Sequence, residues 1–187
     1  AAVVILFSLS VQFLFDNVLQ SHQQKRIQVT LNLIEDNQGA GYNVNQSKIA
    51  IGSGGFSGKG FLNGSHTKGD FIPEQETDFI FCTIGEEGGW VLSSITILLF
   101  VLLVLRLFHL AGRAKKKFKR IFIYSLASII FFHLMVNVGM TIGLMPVIGI
   151  PLPLISYGGS SILAFGIFIF TALKLDASRV YDLQSHY

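Results

Sequence analysis

Between Glu87 and Asp176 the chain has no acidic residue, and the 88 positions 88–175 are filled largely with Ile, Leu, Phe and Val. An aqueous domain has little use for such a run, because its helices keep one face polar. A bilayer accepts it, each crossing needing roughly 20 apolar residues to span about 30 Å of hydrocarbon. The whole chain agrees: 51% of residues are hydrophobic, 13% are charged and the mean hydropathy is +0.57, outside the range of ordinary soluble domains. A single cysteine, Cys82, excludes an intramolecular disulfide framework. The pI near 9.1 does not point to a nucleic-acid partner, because the basic residues crowd into one short stretch between apolar segments.

The pattern predicts an all-α polytopic membrane protein with four transmembrane helices, at 1–19, 90–110, 121–145 and 156–175. The first segment lacks the initiating Met, basic flank and small-residue cleavage site of a signal peptide, so it is read as a membrane helix. Six of the eight positions 113–120 are Lys or Arg, and the positive-inside rule puts that loop (111–120) in the cytoplasm. Alternation then places the long loop 20–89 and the short turn 146–155 outside, and the tail 176–187 inside.

Inside the apolar region the run 143–161, GLMPVIGIPLPLISYGGSS, holds three of the four prolines. Proline removes a backbone donor and glycine permits turns closed to other residues. At membrane depth such a break is tolerated only where protein or a wet cavity satisfies the freed backbone groups. Two readings follow: a plain turn between helices, or shaped backbone beside a polar cavity.

The loop 20–89 is far longer than an ordinary connection, and such loops are usually functional or disordered. Recurring apolar residues argue for order. Ile27, Leu31 and Ile34 fall at i, i+4, i+7 and predict a short amphipathic helix. The glycine-rich stretch 39–65 carries Lys48 and Lys59. A phosphate loop ending at Gly58-Lys59 needs glycine at Ser53 and a hydroxyl residue at Gly60, and both fail. What remains is flexible backbone whose N–H groups, with Lys59, suit an anion, or a plain surface turn. In the following DFIPEQETDF (70–79), Pro73 and the acidic residues after it suit the first turn of a helix. A helix from there sets Glu74 and Asp78 on one face at i, i+4 and must overshoot the bilayer or break near Gly88-Gly89.

These motifs carry a resemblance. Asn137, Pro146, Gly149 and Ser156-Tyr157-Gly158-Gly159-Ser160, with KIAIGSGGFSGKGFLNGS (48–65), FIPEQETDFIF (71–81) and EEGG (86–89), resemble the signature and large outer loop of the SEDS family (RodA, FtsW, SpoVE). The form is nearest RodA. Two positions depart from the family pattern: Glu76, where His is commoner, and Asp70, where Glu is usual. The family has ten membrane helices, so the resemblance implies that this chain corresponds to the last four and is inactive alone.

The resemblance further implies a peptidoglycan glycosyltransferase of the bacterial inner membrane that polymerises lipid II, with Asp78 of the T-D-F motif as the essential acid. A carboxylate can take the proton of an attacking sugar hydroxyl, and burial beside Phe79 and Phe81 raises its basicity. The departing pyrophosphate needs positive charge, from Lys59, Lys48 or a divalent cation (Mg or Mn) held by Asp70 and Glu74. No organic cofactor is expected. Ser156, Tyr157 and Ser160 complete the expected substrate contacts, and a class B penicillin-binding protein and membrane lipids are the expected partners. His133 and Asn137, at i, i+4, are read as interhelical hydrogen-bonding groups. A lipid II flippase or transporter and a non-catalytic scaffold are the competing functions; a transporter would carry its carboxylates nearer the midplane.

Overall fold

The computed structural model describes residues 2–31, 33–34, 39–69 and 71–178, and among them there is no strand. Seven helices follow one another: α1 Ala2–Asn17, α2 Ser21–Thr30, α3 Ala40–Ser53, α4 Ser65–Lys68, α5 Ile80–Arg113, α6 Lys117–Thr141 and α7 Gly159–Ala177.

Three of these are long and apolar enough to cross a membrane, namely α5, α6 and α7. The described part of α1 is apolar but has only 16 residues, about 24 Å at 1.5 Å per residue, short of the hydrocarbon thickness. Three of the four expected spans thus have helices that meet the length and apolarity of a crossing. Gln24 folds back on the end of α1, its amide donating to the carbonyls of Phe15 (2.7 Å) and Leu19 (3.1 Å) that a helix end leaves unpaired.

The helical pair α5–α6 forms the centre. Phe100, Val104, Leu107 and Ala111 recur at i, i+4, i+7, i+11 on α5, and Ile123, Ala127, Ile130 and Leu134 repeat that spacing on α6; all eight are buried in one cluster. Matching stripes joined by the short link 114–116 give antiparallel neighbours. Leu152, Phe165 and Ala172 close the same cluster. Outward residues such as Leu98, Leu99, Leu102 and Leu105 are exposed, as expected of a face that meets lipid.

The loop differs from its sequence reading in three places. α2 ends at Thr30, with Leu31 as its C-cap, so the stripe Ile27, Leu31, Ile34 does not lie on one helix. The glycine-rich stretch is helical from Ala40 to Ser53, because Ser47 and Ala50 are fully buried and Ser47 Oγ donates to the Thr141 carbonyl at 2.9 Å. Tertiary packing overrides the weak local propensity. Finally, Pro73 does not start a helix. Residues 73–79 form consecutive turns, Glu74 has φ 57°, and α5 starts at Ile80.

Of the two alternatives for this helix, overshoot or a break near Gly88-Gly89, a break is present: Gly89 has φ 64°, ψ −161° inside α5. There the glycine-rich turn docks onto the helix. Trp90 N donates to Gly55 O (3.0 Å) and Val91 N to Phe56 O (3.2 Å), while Lys59 N and Gly60 N donate to the carbonyls of Glu86 and Glu87, each at 3.0 Å. A Cβ on Gly58 would fall on the Glu87 carbonyl, and one on Gly89 on the Gly58 nitrogen. Backbone meets backbone here, which only glycine permits.

Candidate active site

The polar residues of the Pro/Gly run converge on the segment before α5. The main-chain N–H of Tyr157 donates to Glu76 O at 2.8 Å. Ser156 Oγ donates to Thr77 O at 2.6 Å and accepts from Leu152 N at 2.7 Å. Asn137 Nδ2, from α6, donates to Asp78 O and to Ile150 O, both at 2.8 Å. Three successive carbonyls, those of 76, 77 and 78, are thus held by donors that lie 59 to 81 positions further along the chain. These bonds divert the carbonyls from helical pairing, which is why α5 starts late. The N–H groups of Thr77, Asp78 and Phe79 instead gather on the Glu74 carbonyl at 3.3, 3.0 and 3.2 Å.

The turn 142–158 is itself anchored from elsewhere. His133 Nδ1 lies 3.0 Å from the Pro151 carbonyl, which can only accept, so Nδ1 carries the proton. Arg26 Nη1 donates to Val147 O at 2.8 Å. Asn137 is fully buried and Ser156 nearly so.

At the centre of this clasp the Asp78 side chain is half-buried. Among the described residues no hydrogen bond or ion pair engages its carboxylate. Burial, and secondarily the like charge of Glu74, push its pKa above the usual 3.8. Gly149, at φ 80°, leaves the approach open: a Cβ there would sit 3.0 Å from Asp78 Oδ2. Phe79 is buried in a small apolar cluster with Ile72, Cys82 and Ala50, so the residue following Asp78 is also fixed.

The other expected site residues divide. Lys48 is exposed on α3 and its ammonium end lies where a Cβ of Gly143 would be, alongside the start of the turn. Glu74 is exposed, and its Oε2 accepts from Thr77 Oγ1 at 3.1 Å. Tyr157 and Ser160 are exposed, whereas the Ser156 hydroxyl is buried and occupied by Thr77 O and Leu152 N, giving it a structural rather than an open position. Asp70 lies outside the described residues. Among those described, no group of three or more His, Cys, Asp or Glu side chains could hold a metal, and Glu74 alone does not make a donor set for Mg or Mn.

Lys59 is drawn elsewhere, into a knot around Glu86. This carboxylate is 0% exposed. Its Oε1 accepts from Lys59 Nζ at 2.7 Å, His66 N at 3.0 Å and Ser65 Oγ at 3.3 Å, with Ser53 Oγ at 3.5 Å, and its Oε2 accepts from Thr67 N at 2.9 Å. Lys59 also donates to Ser65 Oγ at 2.8 Å, so an anion at this lysine would have to compete with a carboxylate already in place. In the sequence Glu86 stood out only as part of the EEGG run (86–89) that carries the resemblance.

A multi-pass helical membrane protein with an aspartate clasped by a Pro/Gly break is the class that fold and site define. The family model describing cell cycle proteins of the FtsW/RodA/SpoVE type matches residues 1–180, and the chain belongs to that family. It is 42% identical over 160 residues to the peptidoglycan glycosyltransferase MrdB of Escherichia coli K12, covering 86% of this chain and 43% of the relative. It is 41% identical to the peptidoglycan glycosyltransferase RodA of Treponema pallidum, over 78% of this chain and 34% of the relative. With the probable peptidoglycan glycosyltransferase FtsW of Enterococcus hirae the identity is 36%, over 86% and 40%. The chain thus spans less than half the length of these relatives.

Proposed function

We propose that this chain carries the glycosyl-transfer centre of a SEDS-type peptidoglycan glycosyltransferase that polymerises lipid II, with Asp78 as general base. The observation that supports this is the clasp: every carbonyl from 76 to 78 is held from outside the segment, while the Asp78 carboxylate has no partner among the described residues. A fixed backbone with an unengaged, partly desolvated carboxylate is what proton abstraction requires.

In the proposed step the oxygen of an acceptor sugar hydroxyl bonds to the anomeric carbon of the donor as its proton passes to Asp78. The bond from that carbon to the undecaprenyl pyrophosphate oxygen breaks with its electron pair, and the configuration inverts. Lys48 is the cation best situated for the departing anion, because Lys59 is paired with Glu86. A divalent cation on Asp70 and Glu74 is a further proposal, to which no step is assigned; polymerisation unaffected by exhaustive EDTA treatment would remove it.

The deciding experiment is lipid II polymerisation by the protein at its native length, together with a class B penicillin-binding protein as proposed partner. Asp78→Asn should lower the rate by about 10²–10⁴-fold, the usual range for loss of a general base. Full activity in this variant would sink the assignment in favour of a transporter or scaffold. Residence in the bacterial inner membrane, a fourth span on α1 and a cytoplasmic basic loop belong to the same proposal; labelling of a Lys116→Cys variant by an impermeant reagent in intact cells would contradict that orientation.

A further inference from the structure

From Ile121 to Leu173 the chain has no Lys, Arg, Asp or Glu, and His133 is its only histidine. An ionisable side chain within a membrane segment is costly, and such groups mark function where a specific partner holds them. The partner here is backbone. His133 Nδ1 lies 3.0 Å from the Pro151 carbonyl, and the imidazole meets the Phe165 ring of α7 edge to face, centroids 5.3 Å apart. One side chain of α6 thus touches both the Pro/Gly turn and the helix after it.

One helical turn further along α6, Asn137 donates to the adjacent carbonyl, that of Ile150, and also to Asp78 O, both at 2.8 Å. Side chains at i and i+4 of one helix therefore hold two successive carbonyls of the turn. The residue just before them is Gly149, at φ 80°, where a Cβ would stand 3.0 Å from Asp78 Oδ2. Glycine does not hold one conformation unaided. Pro151 does the opposite: it fixes its own φ and restricts Ile150 before it. The segment 149–151 is consequently stiff beyond its glycine, and what fixes its two carbonyls also fixes Gly149. Held at the Ile150 carbonyl alone the segment can pivot about Asn137; held at the Pro151 carbonyl as well, it cannot.

We infer that His133 is a positioning residue for the glycosyl-transfer step, fixing the Pro151 carbonyl so that Gly149 keeps its place beside the Asp78 carboxylate. The inference rests on the reading of Asp78 as general base. His133 bonds to neither substrate nor the transferred proton. What the arrangement demands of it is one N–H at the Nδ1 position, which the neutral ring supplies. A carbonyl at membrane depth needs a donor for its own sake, so a purely structural use has to be told apart by experiment.

The experiment measures kcat and KM for lipid II with the protein at its native length and its proposed penicillin-binding partner. His133→Phe keeps a ring against Phe165 and removes the donor. His133→Asn keeps an N–H near the Nδ1 position, and His133→Gln moves it out to that of Nε2. The Phe and Gln variants should lose about 3- to 10-fold in kcat with KM little changed, because the base and its surroundings are displaced and substrate binding is not. The Asn variant should recover most of that loss. In an Asp78→Asn background His133→Phe should cost nothing further, since its effect passes through Asp78 and the two losses do not add. Wild-type kcat in His133→Phe, a change confined to KM, or the same fold-loss repeated in the Asp78→Asn background would overturn the inference while leaving Asp78 as base. Should His133→Phe not fold, equal kcat in the Asn and Gln variants would overturn it. Full activity of Asp78→Asn alone would remove the general-base reading, and this inference with it.

Discussion

Asp78 and Glu86 lie eight residues apart on one stretch of chain and have opposite surroundings. Glu86 is wholly buried and each of its oxygens accepts from backbone or side-chain donors. Asp78 has its flanking carbonyls taken from three directions, while its carboxylate is unengaged among the described residues. The contrast separates two uses of a carboxylate. One with saturated acceptors is a fastening, and exchanging it disturbs structure. One whose backbone is fastened while its oxygens are not is in position to react.

The comparison is broken most directly by Asp78→Asn. The predicted loss of about 10²–10⁴-fold in polymerisation should come without loss of thermal stability, since no side-chain bond is removed among the described residues and a charge that burial and Glu74 disfavour is neutralised. Glu86→Ala should do the reverse in origin. It strands Lys59 and two backbone N–H groups, and a loss of about 2–3 kcal/mol follows from removing hydrogen bonds to a charge; Lys59, 28% exposed, can still turn to solvent, which keeps the figure below that of a fully buried pair. A melting curve of the detergent-solubilised protein decides it, and an unshifted midpoint would mean that the knot holds nothing.

Asn137→Ala and Ser156→Ala test the clasp itself. Each deletes one donor to a carbonyl next to the reacting group, at about 1–2 kcal/mol. We expect activity to fall about tenfold in kcat with KM little changed, because the base is displaced and substrate binding is not. A change confined to KM would reassign these residues to substrate contact. The smallest effect is expected from Glu74→Gln. Glu74 raises the Asp78 pKa by like charge, so its neutralisation favours the ionised, active form of Asp78 to lower pH. The acid limb of the pH–rate profile should therefore move down; a limb that moves up or stays would show that Glu74 does not act on Asp78. Because burial is the larger cause of the shift, the limb should stay above the ordinary carboxylate value.

Some of this arrangement was readable in the chain. The acid-free run 88–175 fixed a helical membrane body by length and composition, and the prolines and glycines of 143–161 marked the break between α6 and α7. A break near Gly88-Gly89 was one of two alternatives left open, and the role given to the T-D-F aspartate was an expectation resting on resemblance more than on residue chemistry. Local pattern failed where distant segments compete for the same backbone groups. Pro73 and its acidic neighbours have the composition of a helix start, yet the carbonyls of 76–78 are paired with Ser156, Tyr157 and Asn137, so the helix waits until Ile80. Glycine content argued for flexible chain at 40–53, where burial of Ser47 and Ala50 makes a helix.

The assignment of charges lay still further from the sequence. Lys59 and Lys48 are equivalent as letters, both lysines in glycine-rich surroundings. Only folding brings Lys59 within 2.7 Å of Glu86 and lays Lys48 beside Gly143. Composition and periodicity determine which segments leave water, because transfer free energy is a sum over residues. Which carboxylate is consumed and which is left to react depends on hydrogen bonds between segments, and those directional bonds exist only once the tertiary structure has brought donors and acceptors within 3 Å or so of each other.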